Sequence, residues 1–388
     1  MLLTNATLYT KDFRFAPNSH ICVKDDRIAA VVTNADATED PATALGEETI
    51  DAHGLLVIPG LVDLHFHGSV GHDFMEGTEE ALDAIAKYQA KSGILAICPA
   101  TMTMSEEDIT KACANARDYQ NKDDGAELVG INMEGPFVSP KKVGAQNPKY
   151  VHAPDVDFFR RCQKASGNKI KLMAIAPEEP NALETIAALK DEVLSSIAHT
   201  CTSYEIAAKA IAAGATHITH LYNAMPGLAH RDPGPIAAGS DAAWCEAEII
   251  CDGVHIQPGA VRAAFRLFGP ERMILISDSM MAVGLDDGEY ELGGQPVHVK
   301  GRLATLASGT IAGSATNLFD CMKTACLQMG LPIETVIRCA TYNPARSIKV
   351  LEDYGTIEPN KKASLIVMDR EFNIKGILLR GKWLVKNF

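Results

Sequence analysis

The chain has 388 residues, 47% of them hydrophobic and 22% charged, with a formal net charge of −13. That is enough apolar material for one large core and a smaller second unit. A surface of this sign excludes nucleic acid and anionic membranes as partners unless a local basic patch compensates, and the sequence has no Lys/Arg run.

The N-terminus, M-L-L-T-N-A-T-L-Y-T, has no basic segment and no long apolar stretch, so no signal peptide is expected. No run reaches the roughly eighteen apolar residues of a membrane span. Residues 2–10, then H-I-C-V-K-D-D-R-I-A-A-V-V (20–32), then E-T-I-D-A-H-G-L-L-V-I-P (48–59) alternate and are broken by turn residues. They predict short strands, with D-D at a hairpin turn. The tail from G-T-I-E-P-N (355–360) through G-I-L-L-R-G-K-W-L-V-K (376–386) reads the same way.

The middle of the chain differs. Eight short apolar runs recur at 61–67, 94–100, 128–135, 170–177, 195–200, 217–222, 247–255 and 273–279. Amphipathic stretches such as E-E-A-L-D-A-I-A-K-Y-Q-A separate them. Strands alternating with helices over about 280 residues predict an α/β fold, a (β/α)8 TIM-type barrel. The expected division is a small β-sandwich built from residues 1–58 and 346–388, and a barrel over 59–345. Ten cysteines, with no C-x-x-C pair and several inside apolar runs, suit reduced thiols in the cytoplasm.

In such a barrel the chemistry sits at the C-terminal ends of the strands. There the sequence places His65 and His67, Glu134, His199, His220, Asp252 with His255, and Asp278. His65 and His67 are two apart, so in an extended strand they share a face. Each residue alone has an ordinary structural role. As a set around one barrel mouth they point to a divalent cation, Zn²⁺ or Fe²⁺. His217 falls on the other strand face from His220 and reads as structural; His53, His72, His152 and His298 lack a strand-end position.

D-A-H-G-L-L-V-I-P-G-L-V-D-L-H-F-H-G (51–68) resembles the start of the amidohydrolase barrel, and the tail resembles that superfamily's return to its β-domain. M-E-G-P-F (133–137), K-K-V-G-A-Q-N-P (141–148), T-H-L-Y-N-A-M (219–225), D-G-V-H (252–255), I-S-D-S-M (276–280) and I-A-G-S (311–314) follow the order of the N-acetylglucosamine-6-phosphate deacetylase family. The resemblance covers essentially the whole chain. It implies metal-dependent deacetylation of N-acetyl-D-glucosamine 6-phosphate, in amino-sugar catabolism and cell-wall recycling. It implies that Glu134, His199 and His220 hold the principal metal and that His65 and His67 hold a second. One or two divalent ions per chain follow, zinc foremost.

Asp278 matches the catalytic position: a base toward the attacking hydroxide's proton, then an acid toward the sugar nitrogen. Ala145, Gln146, Asn223, Ala224, Arg231, His255, Ile311, Ala312 and Gly313 match substrate-contacting positions, Arg231 for the phosphate. Gln146 departs from the histidine many members carry, which is thought to contact the substrate amide. Family members also imply a homodimer, or a tetramer, sharing the phosphate site. The carboxylated lysine of hydantoinase- and urease-like relatives is missing, since strand four ends A-I-A-P-E-E-P. The competing expectations are the N-acetylgalactosamine 6-phosphate deacetylase, another amidohydrolase such as a deaminase or dipeptidase, and a catalytically dead barrel. The intact Asp278, Glu134, His199 and His220 argue against the last.

Overall fold

The computed structural model describes residues 1–34 and 48–388. The two chain ends meet in one sheet. From one edge its strands are Lys382–Lys386, Ile374–Leu379, Leu365–Met368, Leu56–Pro59, Leu2–Tyr9, Phe15–Lys24 and Arg27–Val32, with Thr49–Asp51 alongside Leu2–Tyr9. The seam between the ends is antiparallel, Leu365 opposite Pro59 and Met368 opposite Leu56. The D-D turn joins Lys24 to Arg27, with Asp25 at φ 55°. The sandwich expected here takes the form of one curled sheet. Arg27, at its far edge, bridges back to Lys362, just ahead of Leu365–Met368. Leu3, Leu8, Ile21, Val57, Leu365 and Val367 fill the space inside the curl.

The barrel strands are, in order, Leu61–Asp63, Ile94–Ile97, Ile131–Met133, Ile170–Ile175, Leu194–Ile197, Ala215–Ile218, Glu246–Ile250 and Met273–Ile276. Strands three to eight form one parallel ladder, and Leu61–Asp63 pairs with Ile94–Ile97 in a second. The bridge between Ala100 and Asn132 joins the two ladders. The last seam is closed by single bonds: Asp278 N–H donates to His65 O at 2.9 Å, and His67 N–H to Ser279 O at 2.7 Å. The helices pack outside. Glu79–Lys91 turns Leu82, Ile85, Ala86 and Gln89 inward at helical spacing, and its N-terminus is capped by the Thr78 hydroxyl. No helix among the described residues is long and apolar enough to cross a membrane.

Two features position the site. On the inner face, Val62, Ala96, Leu172, Ile250, Ile274 and Ile276 pack with Ala345, Ile348 and Tyr354 in one buried cluster. The barrel is therefore filled rather than hollow, and its candidate site residues are carried just past the strand ends. Beyond strand eight, Gly288–Leu292, Gln295–Lys300 and Leu303–Leu306 form a three-stranded antiparallel sheet that the apolar-run pattern does not reveal. Leu292, Thr310 and Ile311, on and after that sheet, reach the barrel mouth.

Candidate active site

Strand one stops at Asp63, four residues earlier than an extended D-L-H-F-H would require. His65 and His67 therefore project from a bend, not from a pleat. The Asp63 carboxylate accepts from His65 N–H at 3.2 Å and from the Ser277 hydroxyl at 2.5 Å, which ties the bend to strand eight. Past the strand ends the backbone is forced. His199, His220 and Asp278 sit at φ 42°, 27° and 51°. Left-handed backbone in a non-glycine residue costs on the order of 1–3 kcal/mol and persists where surrounding structure over-determines it. Gly135, at φ 76°, follows Glu134, and a Cβ there would meet Thr103 Oγ1 at 2.0 Å, so the turn that aims Glu134 admits only glycine.

These bends converge. Glu134 Oε1 lies 3.0 Å from His199 Nε2, 3.1 Å from His220 Nε2 and 3.4 Å from His65 Nε2. Glu134 Oε2 is 3.3 Å from His67 Nε2, and Asp278 Oδ1 is 3.2 Å from the same nitrogen. Two sets result, His65–His67–Asp278 and Glu134–His199–His220, with the ligand atoms of each within 4.8 Å of one another. All six residues are buried. Glu134 is the link between the sets.

This donor set fits divalent cations. His65 Nε2 is buried and has no hydrogen-bond partner among the described residues. His199 Nε2 and His220 Nε2 are 3.1 Å apart, a separation at which both cannot carry a proton comfortably. Burial works against the charge on Glu134 and Asp278. The imidazoles outweigh it: His65, His199 and His220 hold Glu134 well below the usual carboxylate range, and His67 and His65 hold Asp278 below it. Ionised carboxylates are the protonation state a metal requires.

A cavity of about 320 Å³ opens above the cluster. His67, Glu134, His199 and His220 form its floor, and Ala145, Gln146, Asn223, Ala224, His255, Ile311 and Gly313 line it. His255 is fixed by Asp252, whose Oδ2 lies 2.7 Å from its Nδ1 and whose Oδ1 accepts from its backbone N–H at 3.0 Å. Ala312 is fully buried beneath this wall. Two expected contacts are arranged differently. Gln146 is buried with both ends of its amide engaged: Nε2 donates to Glu134 Oε2 at 2.7 Å, and Oε1 accepts from Thr103 N–H at 2.6 Å. It braces a ligand, and the second hydrogen of its Nε2 faces Met102 Sδ at 3.8 Å. Arg231 is exposed on its loop and does not line the cavity of its own chain.

Lys142, Met102 and Leu292 line the cavity without having been singled out from the sequence. Lys142 is the one lysine or arginine among the described lining residues, and its carbonyl faces His199 Nδ1 at 3.3 Å. Its place in K-K-V-G-A-Q was the available signal. Glu248, inside the barrel behind His65, is not singled out by the sequence reading, and His217, read there as structural, lies beside it.

A family model described as the amidohydrolase family matches residues 56–384. The N-acetylglucosamine-6-phosphate deacetylase of Bacillus subtilis (strain 168) is 34% identical over 369 residues, 94% of this chain and 92% of that protein. The N-acetylgalactosamine-6-phosphate deacetylase of Escherichia coli O157:H7 is 31% identical over 331 residues, 84% of this chain and 87% of that one. Among solved structures, a mutant N-acetyl-D-glucosamine-6-phosphate deacetylase from Mycobacterium smegmatis, in complex with N-acetyl-D-glucosamine-6-phosphate, superposes with a TM-score of 0.90 at 31% identity, over 99% of each chain.

Proposed function

The chain belongs to the amidohydrolase family, and we propose that it hydrolyses N-acetyl-D-glucosamine 6-phosphate to D-glucosamine 6-phosphate and acetate. The observation that carries this reading is the meeting of the two ligand sets at Glu134, under a cavity of sugar-phosphate size, with Asp278 Oδ1 3.2 Å from His67 Nε2 on its floor.

Glu134, His199 and His220 would hold one divalent cation, and His65 and His67 a second, with zinc the first choice and iron(II) the alternative. A cation held there supplies Lewis acidity, which activates the amide carbonyl and water toward each other. The chain's own groups do the rest. Asp278 is ionised in the resting state, because His67 and His65 outweigh its burial. It takes a proton from the attacking water as the oxygen bonds to the acetyl carbon. As the carbon–nitrogen bond breaks, it returns that proton to the departing sugar nitrogen, so acetic acid and a neutral amine form, and the acid then gives its proton to the amine or to water and leaves as acetate. His255, oriented by Asp252, presents its other ring nitrogen to the substrate. Asn223, Ala224 and the Ile311–Gly313 stretch form the wall against which the sugar phosphate is held.

The guanidinium of Arg231 suits a phosphate. Its exposure, outside its own cavity, supports a homodimer in which each copy lends Arg231 to the other. The loop that carries it also exposes Leu228, at 48%. Buried free thiols at Cys98, Cys113, Cys251 and Cys339 support a reducing, cytoplasmic setting.

The test is acetate release from N-acetylglucosamine 6-phosphate and from its galacto epimer, before chelation, after it, and after metal add-back. Metal-dependent release favouring the gluco sugar is expected. Preference for the galacto sugar moves the substrate assignment and keeps the mechanism. No release from either sugar removes the deacetylase reading.

A further inference from the structure

His217 and Glu248 are buried inside the barrel and take no part in the chemistry above. Glu248 stands on the seventh strand, within the otherwise apolar run A-E-I-I-C. A charge buried that deeply costs several kcal/mol unless it is fully partnered. It is partnered on every side. Its Oε2 lies 2.8 Å from His65 Nδ1 and accepts from His220 N–H at 3.2 Å. Its Oε1 lies 3.1 Å from His217 Nε2. Its backbone carbonyl accepts from Leu221 N–H at 2.8 Å. Behind it, His217 Nδ1 faces Glu246 at 3.8 Å, and Glu246 is paired with Arg346 at 2.6 Å.

One carboxylate thus reaches both ligand sets, the first through the His65 ring and the second through the backbone of His220. An ionised carboxylate only accepts, so His65 must carry its proton on Nδ1. In the neutral ring a cation needs, Nε2 then carries the lone pair, and Nε2 is the ring atom that faces Glu134 without a hydrogen bond. The bond to His220 N–H also holds that residue in its left-handed conformation, φ 27°. Carboxylate partners of this kind fix ligand orientation and raise ligand basicity.

We infer that Glu248, backed by His217, is the positioning residue of the two-cation centre: its charge orients the His65 ring and raises its basicity, and the same oxygen pins His220. The inference rests on the metal-centre reading. Glu248→Gln tests it. The amide keeps the size and can accept from His65 with its oxygen, while its NH₂ donates to a neutral His217. The fold is therefore retained, and the charge is lost. The probe is Zn²⁺ alone. The full-length protein is dialysed against graded zinc buffers and the bound ions are counted per chain. Melting temperature is followed in parallel, and Co²⁺ substitution gives the visible spectrum.

The wild type is expected to hold two ions. In E248Q the ion at His65–His67 is expected to weaken about 10- to 100-fold while the Glu134–His199–His220 ion stays, with an altered cobalt spectrum and a lower melting temperature, since the buried pair with His217 loses its charge. His217→Gln, which touches no ligand, shifts the same ion in the same direction by less, and it carries the test should E248Q fail to fold. Two ions bound to E248Q with wild-type affinities would overturn the role of Glu248. A wild type that binds no zinc would instead overturn the metal-centre reading beneath it.

Discussion

Asparagine at position 278 separates chemistry from binding. The side chain keeps its shape, and asparagine tolerates the φ of 51° found there better than most residues. The backbone bonds that hold the position remain: Asp278 N–H to His65 O at 2.9 Å, and Ser314 N–H to Asp278 O at 2.7 Å. The fold should therefore survive. The Glu134–His199–His220 set shares no atom with the substituted side chain, so its ion should stay. What disappears is the base, since an amide neither takes the water's proton nor returns one to the leaving nitrogen. General acid–base catalysis contributes about 10²- to 10⁴-fold, or about 3–5 kcal/mol of barrier at 1.36 kcal/mol per tenfold. The assay is acetate release under saturating substrate, with metal content and melting temperature measured on the same preparation. The expected result is a fall in kcat of that size, with at least one ion per chain and a melting temperature near that of the wild type. A D278N protein whose kcat lies within threefold of the wild type would refute the assignment of Asp278.

Three further outcomes are expected. Arg231→Ala should raise KM for the phosphorylated sugar about 10- to 100-fold, the worth of a charge-assisted bond to phosphate, and change kcat by less than about threefold; an unchanged KM counts against the phosphate role. Gln146→Ala leaves the buried Thr103 N–H and Glu134 Oε2 without their partner, and should cost about 1–3 kcal/mol in urea unfolding; a neutral result would mean water replaces the amide. In the metal-free protein, burial opposes the charge on His217, but Glu246 and Glu248 prevail and raise its pKa to about 9. A raised pKa stabilises the fold fully below the unfolded value near 6.5, and the contribution fades as pH climbs through about 9. Over that interval the loss is about 3 kcal/mol, so stability should drop between pH 6.5 and 9.5 in the wild type and much less in His217→Gln.

Most of the barrel could be read from the chain because a buried parallel strand leaves a short apolar run bounded by turn residues. The run I-L-A-I-C-P-A became Ile94–Ile97, with Met102 beyond it at the mouth. The three-stranded sheet at 288–306 was missed for the same reason. Its strands are half exposed and alternate, and the Gly-Gly turn joining Leu292 to Gln295 was the cue. The relation of Gln146 to Glu134 is tertiary: residues twelve apart meet only because the loop after strand three folds back over the barrel mouth. Nothing in K-K-V-G-A-Q states it.

Glu248 is a different case, because its signal was present. An acidic residue inside A-E-I-I-C must be partnered if the run is a buried strand, and the candidate partners were histidines on neighbouring strands. His217 was assigned to the face opposite His220 on the premise that both lie in one extended strand. The strand ends at Ile218, and His220 lies beyond it at φ 27°. The parity reading therefore fails for the pair: His217, within the strand, faces into the barrel toward Glu248, and the bend redirects His220 to the mouth. The same failure occurs at His65 and His67, past Asp63. In each case the alternation breaks where the backbone leaves the strand, and that is where this fold places its ligands. A ligand set at strand ends is thus better sought by position relative to the apolar run than by the face its parity assigns.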